Sequence, residues 1–319
     1  NIAVVYKDKA LTYLQLNERA NRLARVLRKN GVMRGDFVAI VARRSLEMII
    51  GIYAILKANG VYVPLDPDYP PDRLQFILED SSAKVIITAG AELAIKTDTP
   101  VLDVAQFSQS NYGSKENLKI ERSPDDFVYC IYTSGTTGQP KGVINRNAGL
   151  VNRILWMDSL YPLHEDGAII QKTTYTFDVS VWEIFWWGLK GAKVIMLEQG
   201  EEKEAARICD EIHMHGITAM HFVPSMMNVF LAYLQDNPHE ITKLGSLQYV
   251  FASGEALKPD TVNLFIDLLT ERMDVKLVNF YGPTEASIDV SYFECNEKCT
   301  LVPIGKPIAN TQIYIQNGD

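Results

Sequence analysis

The residues best suited to chemistry begin at position 132, in the run YTSGTTGQPKGV (132–143). Small residues, hydroxyls and a single lysine are the materials of a phosphate cradle. Gly135 and Gly138 let the backbone bend and bring N–H donors close to an anion. Thr133, Ser134, Thr136 and Thr137 add hydroxyl donors, and Lys141 adds a positive charge. The register is not that of a P-loop. Counted from Gly135, Pro140 occupies the place of the second glycine in G-x-x-x-x-G-K-[ST], and Gly142 stands where a hydroxyl is required. A nucleotide site of another kind is indicated.

Asp178 is the second feature. It lies among Phe177, Val179, Val181 and Trp182, an apolar setting that is costly for a lone carboxylate. Such an acid needs a cationic partner, and the neighbouring sequence supplies none. A bound ammonium group would be one. The plainer alternative is a helix N-cap shared with Ser180.

These residues need a scaffold, and the pattern of the chain predicts one. Apolar β-branched runs (36–42, 61–65, 83–89, 192–198, ITAMHFV, LQYVFA, VKLVNF) alternate with helix-length segments near 45–58, 71–80, 201–215 and 259–271. That alternation predicts an α/β fold of parallel βαβ units with helices on both faces, arranged as two Rossmann-like sheet subdomains. Residues 11–31 read as an amphipathic helix, with Thr12 and Gln15 as a capping box and Gly31 as a stop. A polar, loop-like stretch at 107–125 predicts subdomains of about 1–115 and 116–287. The β-rich residues 288–319 predict the start of a small β-barrel subdomain. In open parallel sheets ligands sit beyond the carboxyl ends of strands. Segments 133–138, 177–182, 253–255 and 279–285 are all expected at such ends, on one edge of one sheet.

Composition narrows the class. With 319 residues, 47% hydrophobic and 22% charged, the chain reads as a soluble globular protein with about two structural units. A net charge of −8 without a basic stripe argues against a nucleic-acid partner. No apolar run reaches the ~18 residues of a membrane span, and no signal peptide is evident. Cys130, Cys209, Cys295 and Cys299 are scattered and read as free thiols of a cytoplasmic protein. Both ends are expected to be cut from a larger protein.

The motifs together resemble the adenylate-forming superfamily. LTYLQLNERANRLA, LKANGVYVPLDPDYPPDRLQFILEDS, YTSGTTGQPKGV, FDVSVWEIF, NFYGPTEASI and PIGKPIAN are similar, in order from residue 11 to 310, to motifs of the amino-acid adenylation domains of nonribosomal peptide synthetases. The resemblance implies that the loop from Thr133 through Lys141 holds the β and γ phosphates of ATP. It implies that Tyr281 stacks on adenine, Asn279 bonds its amino edge, and Gly254 and Glu255 complete the nucleotide site. Gly282 and Pro283 shape the turn, Thr284 reaches the α-phosphate, and Glu285 helps hold Mg²⁺. Thr133, Lys141, Thr284 and Glu285 are the implied catalytic set.

For the substrate, the resemblance implies that Asp178 binds an α-ammonium, which acyl-CoA synthetases do not require. The implied pocket walls are Asp178, Val179, Trp182, His221, Phe251, Ser253, Phe280, Ile288 and Asp289. Trp182, Phe251 and Phe280 leave little volume beyond Cβ, while His221, Ser253 and Asp289 suit a polar group. The set is similar to serine-activating domains, so L-serine is the expected amino acid. His221 as a satisfied core histidine is the alternative at that position. The implied reaction forms aminoacyl-AMP and pyrophosphate, then loads the phosphopantetheine thiol of a peptidyl carrier domain beside neighbouring synthetase domains. An acyl or aryl acid-CoA ligase, a Walker-type NTPase and a non-catalytic binding module are the competing readings. The family's small C-terminal subdomain is not in this sequence, so residues 1–319 alone are expected to adenylate weakly. Asn59 departs from the family, which has glycine there.

Overall fold

Thr12 opens the first helix with both halves of a capping box. Its hydroxyl accepts from the Gln15 N–H at 3.2 Å, and the Gln15 side chain accepts from the Thr12 N–H at 2.9 Å. The helix, Tyr13–Lys29, buries Leu16, Ala20, Leu23, Ala24 and Leu27, and ends where Asn30 and Gly31 (φ 86°) turn the chain. This computed structural model describes residues 1–108, 113–134 and 139–316.

The strands, in chain order, are β1 (Ile2–Tyr6), β2 (Lys9–Thr12), β3 (Phe37–Ala42), β4 (Val61–Leu65), β5 (Val85–Ala89), β6 (Val101–Asp103), β7 (Phe127–Ser134) and β8 (Pro140–Arg146). They continue as β9 (Ala168–Gln171), β10 (Lys193–Met196), β11 (Ala219–Phe222), β12 (Tyr249–Ala252), β13 (Lys276–Tyr281), β14 (Ser291–Glu294) and β15 (Lys306–Pro307). Two sheets result. One runs β6-β5-β3-β4-β7-β8 and the other β15-β14-β13-β12-β11-β9-β10-β1-β2. Interior strands such as β4 and β5 are buried along their whole length, because helices cover both faces of a parallel sheet. One apolar core draws Ile40, Tyr62 and Val128 from the first sheet together with Val4, Ile169 and Phe251 from the second.

The α/β class is as expected, but the boundary near residue 115 does not divide the sheets. β1 lies parallel beside β10 in the second sheet, with Val4 opposite Val194. β7 and β8 belong to the first sheet, beside β4. Open edges of β4 and β10 accept strands from distant chain segments, a pairing that local pattern does not encode. Residues after 288 continue the second sheet. β14 pairs antiparallel with β13, and β15 with β14, so the described part extends the second sheet.

Asn59 is buried with φ 65°, a left-handed backbone that glycine adopts freely and asparagine tolerates. The departure from glycine thus keeps the conformation. No helix among the described residues is long and apolar enough to cross a membrane.

Candidate active site

In the second sheet, β9 has β10 on one side and β11 on the other, so the chain winds in opposite directions from β9. Such a switch point opens a crevice at the carboxyl ends. A cleft of ≈ 370 Å³ lies there. Lys172 and Thr173 enter it after β9, His221 and Val223 from the end of β11, and Ser253, Gly254 and Glu255 after β12. Phe177 and Val179 line its side. A larger depression of ≈ 680 Å³ opens at the opposite edge, among Gly167, Thr218, Gln248 and Lys276 at the strands' amino ends. We place the site at the carboxyl edge, where the chemistry-bearing side chains converge.

Asp178 sits just before the helix Ser180–Lys190 and is buried. It does not cap that helix: Val179 is the N-cap and no side chain caps the end, while Ser180 Oγ donates to the Phe177 carbonyl at 2.6 Å. Asp178 Oδ2 has no hydrogen-bond partner, and the nearby Trp182 Nε1 is likewise buried without one. Burial pushes the Asp178 carboxyl up to about 6, against opposing hydrogen bonds from Thr284 and backbone N–H groups; the neighbouring charge of Asp289 raises it further. Among the described residues no cation pairs with it.

His221 is enclosed. Its Nε2 lies 3.0 Å from Ser253 Oγ and its Nδ1 3.4 Å from Thr173 Oγ1. Burial holds the imidazole well below its usual range, and the nearby Lys172 charge adds to this. The ring is therefore neutral, one nitrogen donating and the other accepting. Beneath it, fully buried Glu183 accepts from the Thr173 hydroxyl at 2.7 Å, the Thr173 N–H at 3.1 Å and Gln171 at 3.1 Å. Lys172 lies 4.1 Å from the Phe222 ring centroid, and burial lowers it to about 8 while Glu183 pulls it up. His221 is thus both hydrogen-bonded and part of the cleft lining. Sequence pattern does not single out Thr173, Lys172 or Glu183.

The aromatic wall is ordered. Phe251 stacks on Phe280 with centroids 5.0 Å apart and planes 11° apart, and Trp182 meets Phe251 edge-on at 5.5 Å. Ile288 is buried with φ 78°. Asp289 is paired within the chain: Arg153 Nη2 and Nε donate to its Oδ2 at 2.7 Å and 3.3 Å. Both side chains are fully buried. Burial pushes Asp289 up while Arg153 pulls it down. Arg153 comes from the helix Asn147–Leu160, far from the motif in sequence, so no local pattern points to it.

The expected nucleotide residues occupy both sheets, not one edge of one sheet. Thr133 and Ser134 end β7 in the first sheet, opposite Lys141 and Pro140 of β8, because β7 pairs with β4 and not with β9. Lys141 is exposed. Gly135, Thr136, Thr137 and Gly138 lie outside the described residues. Gly142 is required: a Cβ there would meet Cys130 Sγ at 2.9 Å and the Tyr132 ring at 3.0 Å. The two sheets meet through Asn145 of β8. Its Nδ2 donates to the Thr284 carbonyl at 2.9 Å and its Oδ1 accepts from Ser287 Oγ at 2.6 Å.

At the end of β13, Tyr281 is half exposed, and Asn279 donates to the Pro303 carbonyl at 3.0 Å. Gly282 has no room for a side chain, since a Cβ would lie 2.5 Å from Asp289 Cα and Ile288 O. Thr284 begins a 3-10 turn (Thr284–Ala286) in which Glu285 is exposed. Gly254 has φ 89°. Glu255 accepts from Ser225 N–H at 3.0 Å and Ser225 Oγ at 3.1 Å, at the start of the helix Pro224–Asp236. Among the described residues, no group of three His, Cys, Asp or Glu side chains could hold a metal by itself.

Comparison with known proteins supplies the family. Residues 1–319 match the family described as AMP-binding enzyme. A mycosubtilin synthase protein of Bacillus subtilis is 47% identical over 98% of this chain, which spans 12% of that protein. Zwittermicin A synthase ZmaJ of Bacillus cereus is 47% identical over 98% of this chain, which spans 60% of it. Among solved structures, the nonribosomal peptide synthetase FmoA3 in its α-methyl-L-serine-AMP bound form has a TM-score of 0.88 and 26% identity, covering 97% of this chain and 33% of that one. The chain belongs to the AMP-binding enzyme family, with the fold of a nonribosomal peptide synthetase adenylation domain.

Proposed function

We propose that this chain activates an amino acid, L-serine, as its adenylate. The carboxylate oxygen of serine attacks the α-phosphorus of ATP, the bond from that phosphorus to the bridging oxygen breaks, and pyrophosphate leaves. The observation that carries the reading is the unpaired, buried Oδ2 of Asp178. An α-ammonium docked there supplies the missing partner and returns the acid to its charged form. No protein nucleophile is needed, because positioning and charge stabilisation carry the reaction.

Serine is supported by the composition of the pocket. As expected pocket walls, the stacked Phe251 and Phe280 and the edge-on Trp182 would limit the side chain to a small one. His221 and Ser253 present polar atoms to the cleft, which a hydroxyl can satisfy and an alkyl group cannot. FmoA3, solved with an α-methyl-L-serine adenylate, supports the same class of substrate.

For ATP, Tyr281 offers an exposed ring for stacking, and the Asn279 side-chain oxygen can accept from an adenine amine. In this reading Thr133, Ser134 and Lys141 would flank the phosphate loop, and Thr284 would reach the α-phosphate. Mg²⁺ fits a site with one carboxylate, Glu285, and phosphate oxygens for the remainder. It would neutralise triphosphate charge. The adenylate is then passed to the phosphopantetheine thiol of a carrier domain within a multidomain, cytoplasmic synthetase.

Amino-acid-dependent ATP–pyrophosphate exchange by the full-length protein tests this. Serine should exceed threonine, and both should exceed alanine and glycine. No exchange with serine but robust exchange with a fatty or aryl acid overturns the proposal.

A further inference from the structure

Arg153 is wholly buried, and its guanidinium touches two expected walls of the substrate pocket. It bonds Asp289 through Nη2 and Nε, and its carbon lies 4.6 Å from the Phe280 ring centroid and 5.0 Å from that of Trp156. Its third nitrogen, Nη1, is buried with no partner. Stability alone is a poor reason for this arrangement. A buried ion pair is often matched or bettered by apolar residues of similar volume.

Charge counting suggests a reason. Two buried acids, Asp178 and Asp289, both expected walls of the substrate pocket, lie closely enough for the charge of one to oppose ionisation of the other. Arg153 engages Asp289, whereas Asp178 has no cationic partner among the described residues and its Oδ2 accepts no hydrogen bond. Fully ionised, the three groups sum to a single negative charge, which one α-ammonium neutralises. A second ammonium, on the substrate's side chain, would find Asp289 already taken. It would also be repelled by the nearby guanidinium charge.

We propose that Arg153 is a specificity-determining residue acting through Asp289: by occupying that carboxylate it leaves one free acid in the pocket and excludes amino acids with a positively charged side chain. The proposal rests on the amino-acid reading of the site. It identifies the excluded class as diamino acids, of which L-2,3-diaminopropionate is the ammonium counterpart of serine.

The test is ATP–pyrophosphate exchange by the full-length protein with L-serine and L-2,3-diaminopropionate as probes, read as the ratio of kcat/KM. Arg153→Met frees Asp289 and should raise the diaminopropionate-to-serine ratio by about tenfold or more, because a repulsive element against the competitor is removed. Arg153→Met combined with Asp289→Asn should return the ratio towards the original, and Arg153→Lys should preserve it. A general loss of packing would lower both rates together and leave the ratio unmoved. If Arg153→Met fails to fold, Asp289→Asn serves instead. It leaves the guanidinium uncompensated and should raise KM for serine, with circular dichroism reporting an intact fold. An unchanged ratio in folded Arg153→Met, or an unchanged serine KM in Asp289→Asn where that variant stands in, overturns the proposal. Unmodified protein inert to serine overturns the serine reading alone, since the ratio is then read with the amino acid it does activate and that acid's ammonium analogue.

Discussion

Asn145 joins the two sheets at the site by donating from Nδ2 to the carbonyl oxygen of Thr284 at 2.9 Å. The same amide accepts from Ser287 Oγ, so one buried side chain holds both ends of the turn Thr284–Ala286 against the strand returning from the phosphate loop. Asn145→Ala removes both bonds. The expected cost is about 1–3 kcal/mol, the penalty for stranding buried polar groups. KM for ATP should rise more than KM for serine, because in the proposed function the turn and the loop bear on the nucleotide. Urea denaturation and exchange kinetics at varied ATP measure the two effects. A stability loss with unchanged KM for ATP would confine Asn145 to architecture.

Asp178 predicts a pH dependence. Its carboxyl titrates near 6 in the folded protein, above its ordinary value of 3.8. Between those values the folded chain holds a proton that the unfolded chain has lost, so this group's contribution to stability falls as pH rises through the window. In the proposed function, ammonium binding requires the ionised form. L-Serine affinity should therefore strengthen as pH climbs to about 6 and level off above it. Calorimetric titration from about pH 5 to about pH 8 follows the curve. Asp178→Asn should bind weakly with no inflection near 6.

Ser253 predicts a change in selectivity. Ser253→Ala strips His221 Nε2 of its 3.0 Å partner and takes a polar group from the cleft. Discrimination of serine over alanine should fall by about tenfold or more, as polar recognition accounts for most of it. Threonine differs from serine by one methyl, worth roughly 1–3 kcal/mol, so it should be the stronger competitor in the unmodified protein. Competition assays with the three amino acids check both outcomes.

Gly282 is sensitive for steric reasons. In Gly282→Ala the new methyl would sit 2.5 Å from Asp289 Cα and Ile288 O, both backbone atoms that cannot rotate away. Overpacking of this kind costs about 1–3 kcal/mol. The shift would also move Thr284 and Asp289 together. A lower melting temperature accompanied by lost exchange is expected, and a variant with unaltered melting would contradict this account of the turn.

The sequence carries the local features well. The Thr12–Gln15 capping box, the helix that follows and the buried strands are all present, since each is set by residues a few positions apart. Asp178 stands out because a carboxylate amid valine and tryptophan is anomalous in any fold. Arg153 and Asn145 do not stand out. Each occupies an ordinary position beside or within a helix or strand, and gains significance only from partners 136 and 139 residues away. Sheet membership is hidden for the same reason: an apolar run announces a strand but not which edge it joins.

The pairing of Val4 with Val194 has a consequence during translation. At about 5–20 residues per second, the amino-terminal strand leaves the ribosome roughly 10–40 s before its parallel neighbour exists. For that interval the β10-facing edge of the apolar β1 strand is unpaired, and a nascent chain so placed is a natural client for chaperones. Slower elongation between those two codons should lengthen the exposure and lower the yield of folded enzyme.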